Sequence, residues 1–164
     1  MEYRIRPIEE KDNERVEYII RSCLIEFGAN HEGTAWEDPF LGQFYQVYQA
    51  PESAYWVAED EAGTVVGGVG IGPLPGAPGV CELQKMYCIP EARGKGIAQN
   101  LLDEALDFAK DYYDQCYLET ISNMVAAIKF YEKNGFRPLD TLIGDTGHVG
   151  CDVPYIRTIR EASV

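Results

Sequence analysis

The sequence predicts an α/β protein with one mixed sheet and the element order β-α-α-β-β-β-α-β-α-β-β. Two observations lead to this fold class. Four strand-like runs precede the long amphipathic run that starts at residue 97, which favours a mixed sheet over a fully parallel one. A tight glycine-containing turn at residues 93–98 joins the fourth of these runs to that helix. The 164 residues suffice for one full core, so we expect a single domain over residues 1–164.

The N-terminal part of the chain is predicted to form one strand and two helices. Residues 2–8 alternate charged and apolar side chains, which indicates a strand. Asp12 is the expected N-cap of a helix with apolar residues at helical spacing, and Gly28 is the expected end of that helix. The pattern then predicts a loop and a short second helix, over residues 28–37 and 39–48.

The middle of the chain is predicted to form three successive strands. They are expected at residues 55–58, 65–71 and 81–89. The second of them is rich in glycine, which indicates a close approach to another backbone or a kink. A loop of turn-forming residues, 72–79, links the second strand to the third, which Pro90 closes.

The C-terminal part alternates helices and strands. The helix that starts at Ile97 has apolar residues at the spacing of a buried face as far as Tyr112. Further elements are predicted as a strand at 117–121, a helix at 123–134, a strand at 136–139, a loop at 140–153 and a strand at 155–159.

The turn before the long helix has the composition of an anion-binding site. A helix start offers N–H groups without intrahelical partners and the positive end of the helix dipole. Gly94 and Gly96 allow the backbone to approach a ligand closely, and Arg93 and Lys95 add positive charge. These features predict a phosphate or pyrophosphate site, with an ordinary solvated turn as the alternative. The turn fits neither the dinucleotide fingerprint, since residue 99 is Gln, nor a P-loop.

Two blocks of the sequence resemble the GNAT superfamily of N-acetyltransferases. Arg93, Gly96 and Ala98 match its coenzyme A pyrophosphate motif, Gln/Arg-x-x-Gly-x-Gly/Ala. Residues 123–136 are similar to its segment Asn-x-x-Ala…Phe-Tyr-x-x-x-Gly-Phe, and the two blocks have the family's order and separation. With the neighbouring strands they cover residues 54–140. The resemblance implies an enzyme that transfers an acetyl group from acetyl-CoA to a primary amine by direct attack in a ternary complex.

The resemblance also implies how acetyl-CoA would bind. In GNAT proteins the strands that correspond to residues 82–88 and 117–121 run parallel and then splay apart, and the pantetheine arm pairs with the first strand in the gap. The implied donors to the thioester carbonyl are the backbone N–H groups of Met86, Tyr87 and Cys88. The other implied coenzyme A contacts are Arg93, Gly94, Lys95, Gly96, Ile97, Ala98, Asn123 and Lys133.

Three of these contacts have an alternative in the residues themselves. The side chain of Arg93 can instead contact the backbone at the end of the preceding strand. Asn123 can be a helix N-cap, and Lys133 can be a solvated cation at a helix end.

Acetyl transfer to an amine also requires a base and an acid. Glu82 lies at even offsets from Met86 and Cys88, so we expect it to share their sheet face and to act as the base, directly or through water. Glu119, a charge in mid-strand, is the rival base or a substrate contact. Tyr131 matches the tyrosine that many family members place near the thioester sulfur, where it would protonate the leaving thiolate. The structural alternatives are ion pairs for the two glutamates and core packing for the tyrosine.

The acceptor itself is not encoded in a motif that we can interpret. The loops at residues 28–37 and 140–153 contain His31 and His148 and are the expected walls of the acceptor pocket. His148 is the candidate substrate contact there. A Cys–His nucleophile formed with Cys151 is disfavoured, because no orienting partner is evident.

The composition argues against several classes of protein. A net charge of −13 argues against a nucleic-acid or anionic-membrane surface and weakly favours a cationic amine. The five cysteines are scattered, which argues against a metal site and a disulfide framework. We expect Cys23, Cys88 and Cys116 to be buried small hydrophobes. There is no apolar run of membrane-spanning length and no signal peptide, so a cytoplasmic location is expected.

Two other functions stay open at this point. One is an acyltransferase that uses a different acyl-CoA, and the other is a non-catalytic acyl-CoA-binding or regulatory domain. Amine-dependent release of free thiol would separate catalysis from binding. The oligomeric state is also open, with a homodimer among the alternatives.

Overall fold

A computed structural model of the chain describes residues 2–145 and 153–160. The strands are β1 (Arg4–Pro7), β2 (Ala54–Glu59), β3 (Val65–Pro73), β4 (Val80–Cys88), β5 (Gln115–Thr120), β6 (Arg137–Pro138) and β7 (Val153–Thr158). The α-helices are α1 (Asn13–Glu26), α2 (Phe44–Val47), α3 (Ile97–Ala109) and α4 (Val125–Lys133). Short 3₁₀ turns at Glu10–Asp12, Ala35–Glu37 and Pro90–Ala92 precede α1, α2 and α3. No helix in these ranges is both long and apolar enough to cross a lipid bilayer.

The seven strands form one mixed sheet in the order β1-β2-β3-β4-β5-β7-β6. Among the described strands, β4 and β5 form the one parallel pair, and the other neighbours are antiparallel. The parallel pair follows from the α3 crossover, which returns the chain to the edge from which β4 started. The α/β fold class with a mixed sheet, predicted from the sequence, is therefore confirmed.

Apolar layers cover both faces of the sheet. The layer under α1 and α2 includes Ile20, Leu41, Phe44, Tyr48, Tyr55 and Val57. The layer under α3 and α4 includes Ile71, Leu83, Leu101, Leu102, Leu118 and Phe136. Cys23 and Cys116 are buried, as predicted, and Cys88 is half-buried. Each face therefore has its own core, and a ligand can reach both cores only where the sheet opens.

Three local predictions differ from the structure. The second helix, expected over residues 39–48, has only four residues, because Gly42 and the preceding turns keep the chain irregular up to Gln43. Asp12 does occupy the N-cap position of α1, but its carboxylate binds Arg6 instead of capping the helix. Asn123 is not the N-cap of α4, since that position is Met124.

The parallel strands separate after a short ladder. Their pairing covers Val80↔Gln115, Cys81↔Cys116 and Glu82↔Tyr117, and both strands then continue beyond it. From that point β4 runs on to Cys88 and β5 to Thr120 without pairing with each other, although each stays paired with its outer neighbour. The unpaired stretch leaves a wedge-shaped gap in the middle of the sheet, which is the opening that the GNAT resemblance implied.

A β-bulge in β4 changes which way its side chains point. Gly70 pairs with Gln84 and Gly68 with Tyr87, so two steps along β3 correspond to three steps along β4. Lys85, at the bulge, has φ +50°, and its carbonyl accepts a hydrogen bond from Tyr55 Oη at 2.8 Å. Because of the extra residue, side chains of β4 that are an even number of positions apart, one before the bulge and one after it, point to opposite faces of the sheet.

The predicted sheet face of Glu82 is therefore wrong. Even offsets place Glu82 with Met86 and Cys88 only in a regular strand, and the bulge makes the strand irregular. Met86 and Cys88 pack against the layer under α3 and α4. Glu82 instead lies on the face of α1, together with Gln84.

Candidate active site

The turn between β4 and α3 has a backbone that only glycine adopts easily. Gly94 has φ +75° and Gly96 has φ +82°, in the left-handed region that disfavours larger residues. A Cβ atom at either position would meet no other atom within 4 Å. The glycines are therefore required for conformation, and the space beside them is open to a ligand.

Five consecutive N–H groups at this turn are available for an anion. Gly96 is the N-cap of α3 and has no side chain, so the first-turn amides of Ile97 and Ala98 lack a capping acceptor. Within the described part of the chain, no protein atom accepts a hydrogen bond from the N–H groups of Gly94, Lys95 or Gly96. The dipole of α3 adds positive potential at the same point. Such a cluster of amides is suited to a phosphate or pyrophosphate.

The side chain of Arg93 is engaged within the protein. Its guanidinium binds the Glu26 carboxylate at 2.6 and 2.8 Å, and Nε donates to the Cys88 carbonyl at 3.1 Å. The guanidinium also lies over the Phe27 ring, 5.4 Å from its centroid. These contacts agree with the alternative that the sequence left open, in which Arg93 holds the end of the strand. They tie the end of α1 to the beginning of the turn.

Backbone groups of β4 line the gap in the sheet. Ile89 N–H donates to Val66 O at 2.9 Å, which makes these two residues a hydrogen-bonded pair of the β3–β4 ladder. Because such pairs alternate, Tyr87 directs its backbone groups to β3 and Cys88 directs its own toward the gap. Met86 lies in the bulge, outside the regular ladder. Of the three predicted donors, Cys88 therefore presents its backbone groups away from β3 and Tyr87 does not, while the regular alternation does not extend to Met86.

The gap opens into a cleft with walls from both faces of the sheet. Glu82, Gln84 and Glu119 line it from the face of α1, and Tyr131 of α4 lines it from the opposite layer. The loop after α1 closes it above, with Ala29, Thr34 and Ala35. A ligand in the cleft can therefore touch a carboxylate and a phenol that belong to different faces.

Glu82 is nearly buried, with 8% of its surface exposed. Gln84 Nε2 donates to Glu82 Oε1 at 2.7 Å, and Tyr48 Oη donates to Gln84 Oε1 at 2.7 Å. The amide and phenol form a chain of hydrogen bonds that ends on the carboxylate. This arrangement gives Glu82 a defined orientation at the edge of the cleft.

Glu119 lies on β5, on the same face as Glu82. It accepts a hydrogen bond from Tyr117 Oη at 2.6 Å, and Tyr117 Oη accepts one from Ile143 N–H at 3.2 Å. Burial, with a smaller contribution from Glu119, raises the pKa of Tyr117 well above its ordinary value. The phenol therefore stays protonated and continues to donate to the Glu119 carboxylate.

Tyr131 combines the two roles considered for it. Its ring packs edge-on against Phe130 and Phe136, with centroids 5.7 and 5.8 Å away. It also lines the cleft. Burial raises the pKa of Tyr131, and the nearby thiols of Cys116 and Cys88 add to the effect. The phenol is thus protonated over the physiological range and is competent as a donor.

The remaining predicted residues lie around the cleft rather than in it. Lys95 and Lys133 are exposed, at the two helix ends near the turn. Asn123 donates from Nδ2 to Phe27 O at 3.0 Å, which links the segment before α4 to the end of α1. His31 is exposed, and its ring contacts the Glu32 carbonyl at 2.8 Å. His148 and Cys151 lie outside the described residues.

The sequence interpretation did not identify Tyr48, Gln84 or Tyr117. The signal for the first two is the glycine-rich strand β3, because its missing side chains make room for large ones from neighbouring strands. The signal for Tyr117 is its position two residues before Glu119, which places both on one face of a strand.

Comparisons with known proteins agree with this geometry. The model of the acetyltransferase (GNAT) family matches residues 15–136. The uncharacterized N-acetyltransferase YjgM of Escherichia coli (strain K12) is 44% identical over 152 residues, which cover 91% of this chain and 90% of that protein.

Two solved structures share the fold at lower identity. A GNAT-family acetyltransferase from Staphylococcus aureus Mu50 has a TM-score of 0.87 and 24% identity, over 97% of this chain and 100% of the other. A phosphinothricin acetyltransferase from Sinorhizobium meliloti, solved in complex with acetyl-CoA, has a TM-score of 0.77 and 21% identity, over 99% of this chain and 91% of the other. From the family match and the 44% identical relative, this chain belongs to the GNAT family of acetyltransferases.

Proposed function

We propose that this protein transfers an acetyl group from acetyl-CoA to a primary amine by direct attack in a ternary complex. The observation that supports this most strongly is the separation of β4 and β5 after Glu82↔Tyr117, next to a turn with five available amides. One end of such a site suits a diphosphate, and the other admits a thioester between two strands. A related fold holds acetyl-CoA in the Sinorhizobium meliloti enzyme.

The cosubstrate would be held mainly by backbone groups. The amides from Gly94 to Ala98 would bind the pyrophosphate, with Lys95 and Lys133 near enough to the turn to add positive charge. The pantetheine amides would pair with the exposed edge of β4 at Met86 and Cys88. Asn123 would exchange its bond to Phe27 O for a bond to the same arm.

The catalytic groups would act from opposite faces of the sheet. Glu82, on the face of α1, would take a proton from the incoming ammonium, with Glu119 in the same wall of the cleft to attract the cation. The new C–N bond forms at the thioester carbonyl while the Met86 N–H stabilises the charge on its oxygen. As the C–S bond breaks, Tyr131 would donate its phenolic proton to the sulfur from the other face. The nitrogen would lose its second proton to solvent, and solvent would return a proton to the Tyr131 phenolate.

The test is amine-dependent release of free thiol from acetyl-CoA. Glu82→Gln and Tyr131→Phe should each lower kcat/KM by roughly 10²- to 10⁴-fold, the usual range for loss of a positioned acid or base. Glu104→Gln and Tyr112→Phe, both on exposed parts of α3 and the turn after it, are the matched controls. Acetyl-CoA affinity should be unchanged in all four variants.

Two results would contradict the proposal. Tight acetyl-CoA binding without thiol release over a broad panel of amines would indicate a binding or regulatory domain. Faster release with a longer acyl-CoA than with acetyl-CoA would indicate a different acyl donor.

A further inference from the structure

The hydrogen bonds around Glu82 have a fixed direction. A carboxylate can only accept, so Gln84 must turn its NH₂ group to Glu82 and its carbonyl oxygen to Tyr48. The carbonyl has no proton to give, so the Tyr48 phenol must be the donor at the far end. The distances of 2.7 Å at both links fit strong hydrogen bonds. The order of donation is therefore Tyr48 to Gln84 to Glu82.

Tyr48 is a rigid anchor for this chain. It is 7% exposed and packs against Phe44 and Tyr55, with ring centroids 5.4 and 5.2 Å away. Burial raises the pKa of Tyr48 well above its ordinary value, with the Glu82 charge adding to the effect. The phenol therefore keeps its proton over the pH range in which the protein is folded.

Strand β3 is shaped to accommodate these side chains. A Cβ at Gly70 would lie 2.7 Å from Tyr48 Cζ and Oη, and a Cβ at Gly72 would lie 3.1 Å from Gln84 Oε1. Any larger residue at Gly70 would displace the tyrosine ring, because that ring is itself packed in the core. The glycines of β3 thus create the space in which the chain of hydrogen bonds lies.

We propose that Gln84 is a positioning residue, anchored by Tyr48, that fixes the orientation of the Glu82 carboxylate and favours its ionised form. The proposal rests on the function proposed above, in which Glu82 is the base. A hydrogen bond to a charged carboxylate stabilises that form relative to the protonated one. Gln84 would therefore set both the geometry and the protonation state with which Glu82 meets the amine.

Other ionisable groups surround Glu82 and must be considered in any pH profile. Tyr48 faces it from the segment after α2, and Tyr117 faces it from β5. The Cys116 thiol is close enough to interact with the Glu82 charge, although it belongs to the opposite core. Glu119 and Lys85 line the same cleft, and Lys85 is paired with Asp38 at 2.7 Å. Burial raises the pKa of Tyr48 and Tyr117, and a hydrogen bond with Cys81, together with burial, raises the pKa of Cys116, so none of the three gives an acidic limb. Glu119 is the other carboxylate of the cleft. Glu119→Gln serves to assign that limb.

The test compares Gln84→Met with Tyr48→Phe. Gln84→Met keeps the length of the side chain but removes its donor, so kcat should fall by up to about 100-fold, the cost of a misplaced catalytic group. The acid limb of kcat/KM should move up by about one pH unit. Tyr48→Phe keeps the ring and removes one hydrogen bond. In this variant kcat should fall by up to about tenfold, and the acid limb should move in the same direction as in Gln84→Met. Acetyl-CoA affinity should stay at the wild-type value in both.

Tyr113→Phe is the matched control. Tyr113 is also a buried tyrosine with one hydrogen bond, from Oη to Glu52 O at 2.8 Å, but it lies in the opposite apolar layer. Loss of the Tyr113 hydroxyl should lower the melting temperature without moving the acid limb of kcat/KM. The two tyrosine variants therefore separate positioning from general stability, even where Gln84→Met folds poorly.

The double variant with Glu82→Gln distinguishes this proposal from the proposed function. Gln84→Met should have no further effect on kcat once Glu82 is replaced. An equal loss in both backgrounds, or an unmoved acid limb in Gln84→Met and Tyr48→Phe, would overturn the positioning role while leaving Glu82 as the base. Full activity of Glu82→Gln itself would overturn the proposed base and with it this inference.

Discussion

Arg6 and Asp12 form a nearly buried ion pair at the junction of β1, β2 and α1. Arg6 donates to the two Asp12 oxygens at 2.8 and 3.0 Å and to Glu59 at 3.0 Å. The residues are 8% and 4% exposed. Burial alone would raise the pKa of Asp12, but hydrogen bonds from Arg6 and from the Glu9 N–H outweigh it and hold the pKa below its ordinary 3.8. The pair thus joins the first strand to the first helix.

Loss of this pair should make stability less dependent on pH. A carboxyl with a lowered folded-state pKa contributes stability above its unfolded value, and the contribution is lost as pH falls through the folded value. Asp12→Asn should therefore cost on the order of 3 kcal/mol at neutral pH, since it leaves a buried arginine with one partner fewer. The difference from the wild type should shrink below pH of about 4. Urea unfolding across this range measures it.

Asp111→Asn, in the exposed turn after α3, is the control for that experiment. It should match the wild type at every pH. A difference between wild type and Asp12→Asn that stayed constant from neutral pH down to about pH 2 would mean that the ionised carboxylate is not the source of the stability.

At the scale of elements, the glycine turn before α3 makes a prediction about binding. Gly96→Ala forces a Cβ into a left-handed conformation, which costs about 1–2 kcal/mol. Gly63, in the β2–β3 turn, has a nearly equal φ of +80° and equally open surroundings. Both alanine variants should lose similar stability, but only Gly96→Ala should weaken acetyl-CoA binding, by about tenfold.

Calorimetry with acetyl-CoA and thermal melts of both variants provide the measurement. Equal, wild-type affinity in Gly96→Ala and Gly63→Ala would rule out this turn as the diphosphate site. Equal loss of affinity in both would indicate an effect of stability rather than of the site.

The elements that could be predicted from the sequence are those with a clear local apolar pattern. α1 and α3 can be predicted because their buried residues repeat at helical spacing, and β2 to β5 because each is a short, mostly apolar run next to turn-forming residues. α2 has four residues, too few for a period to define its ends. The bulge at Lys85 depends on the Tyr55 hydroxyl, which is 30 residues away, and no local pattern encodes such a contact.

The same distinction applies to the site. The turn at residues 93–98 is one continuous segment, so its composition could be interpreted directly. Tyr48 and Gln84 meet across 36 residues of sequence, and only the folded sheet brings them together. Glu82 is a prediction from the resemblance. Its sheet face could not be predicted, because the bulge after Gln84 changes which residues of β4 point to the same side.

At the scale of the whole molecule, the net charge of −13 should affect the two substrates in opposite ways. A negative field attracts an ammonium and repels the coenzyme A phosphates, and salt screens both effects. We expect kcat/KM for a cationic amine to fall by up to about tenfold as ionic strength rises, when association limits it. Steady-state kinetics at several salt concentrations test this.

Acetyl-CoA binding over the same salt range is the internal comparison. The affinity for acetyl-CoA should fall less steeply with rising salt than kcat/KM for the amine. Salt weakens the attraction between the coenzyme A phosphates and the turn, but it also weakens their repulsion by the acidic surface. Amine kinetics that do not change with salt would mean that the long-range field has no part in recruiting the acceptor.

The bulge at Lys85 divides β4 into two parts whose even-numbered residues point to opposite faces of the sheet. Upstream, residues 82 and 84 turn toward the side from which the amine would arrive, and downstream, residues 86 and 88 turn their side chains into the other core. The side chains of residues 82 and 84 therefore lie on the opposite side of the sheet from those of residues 86 and 88, which pack in the layer under α3 and α4. One extra residue in the strand thereby separates the positions proposed to meet the acceptor from those proposed to hold the acyl group, so each pair can be substituted without changing the direction of the other.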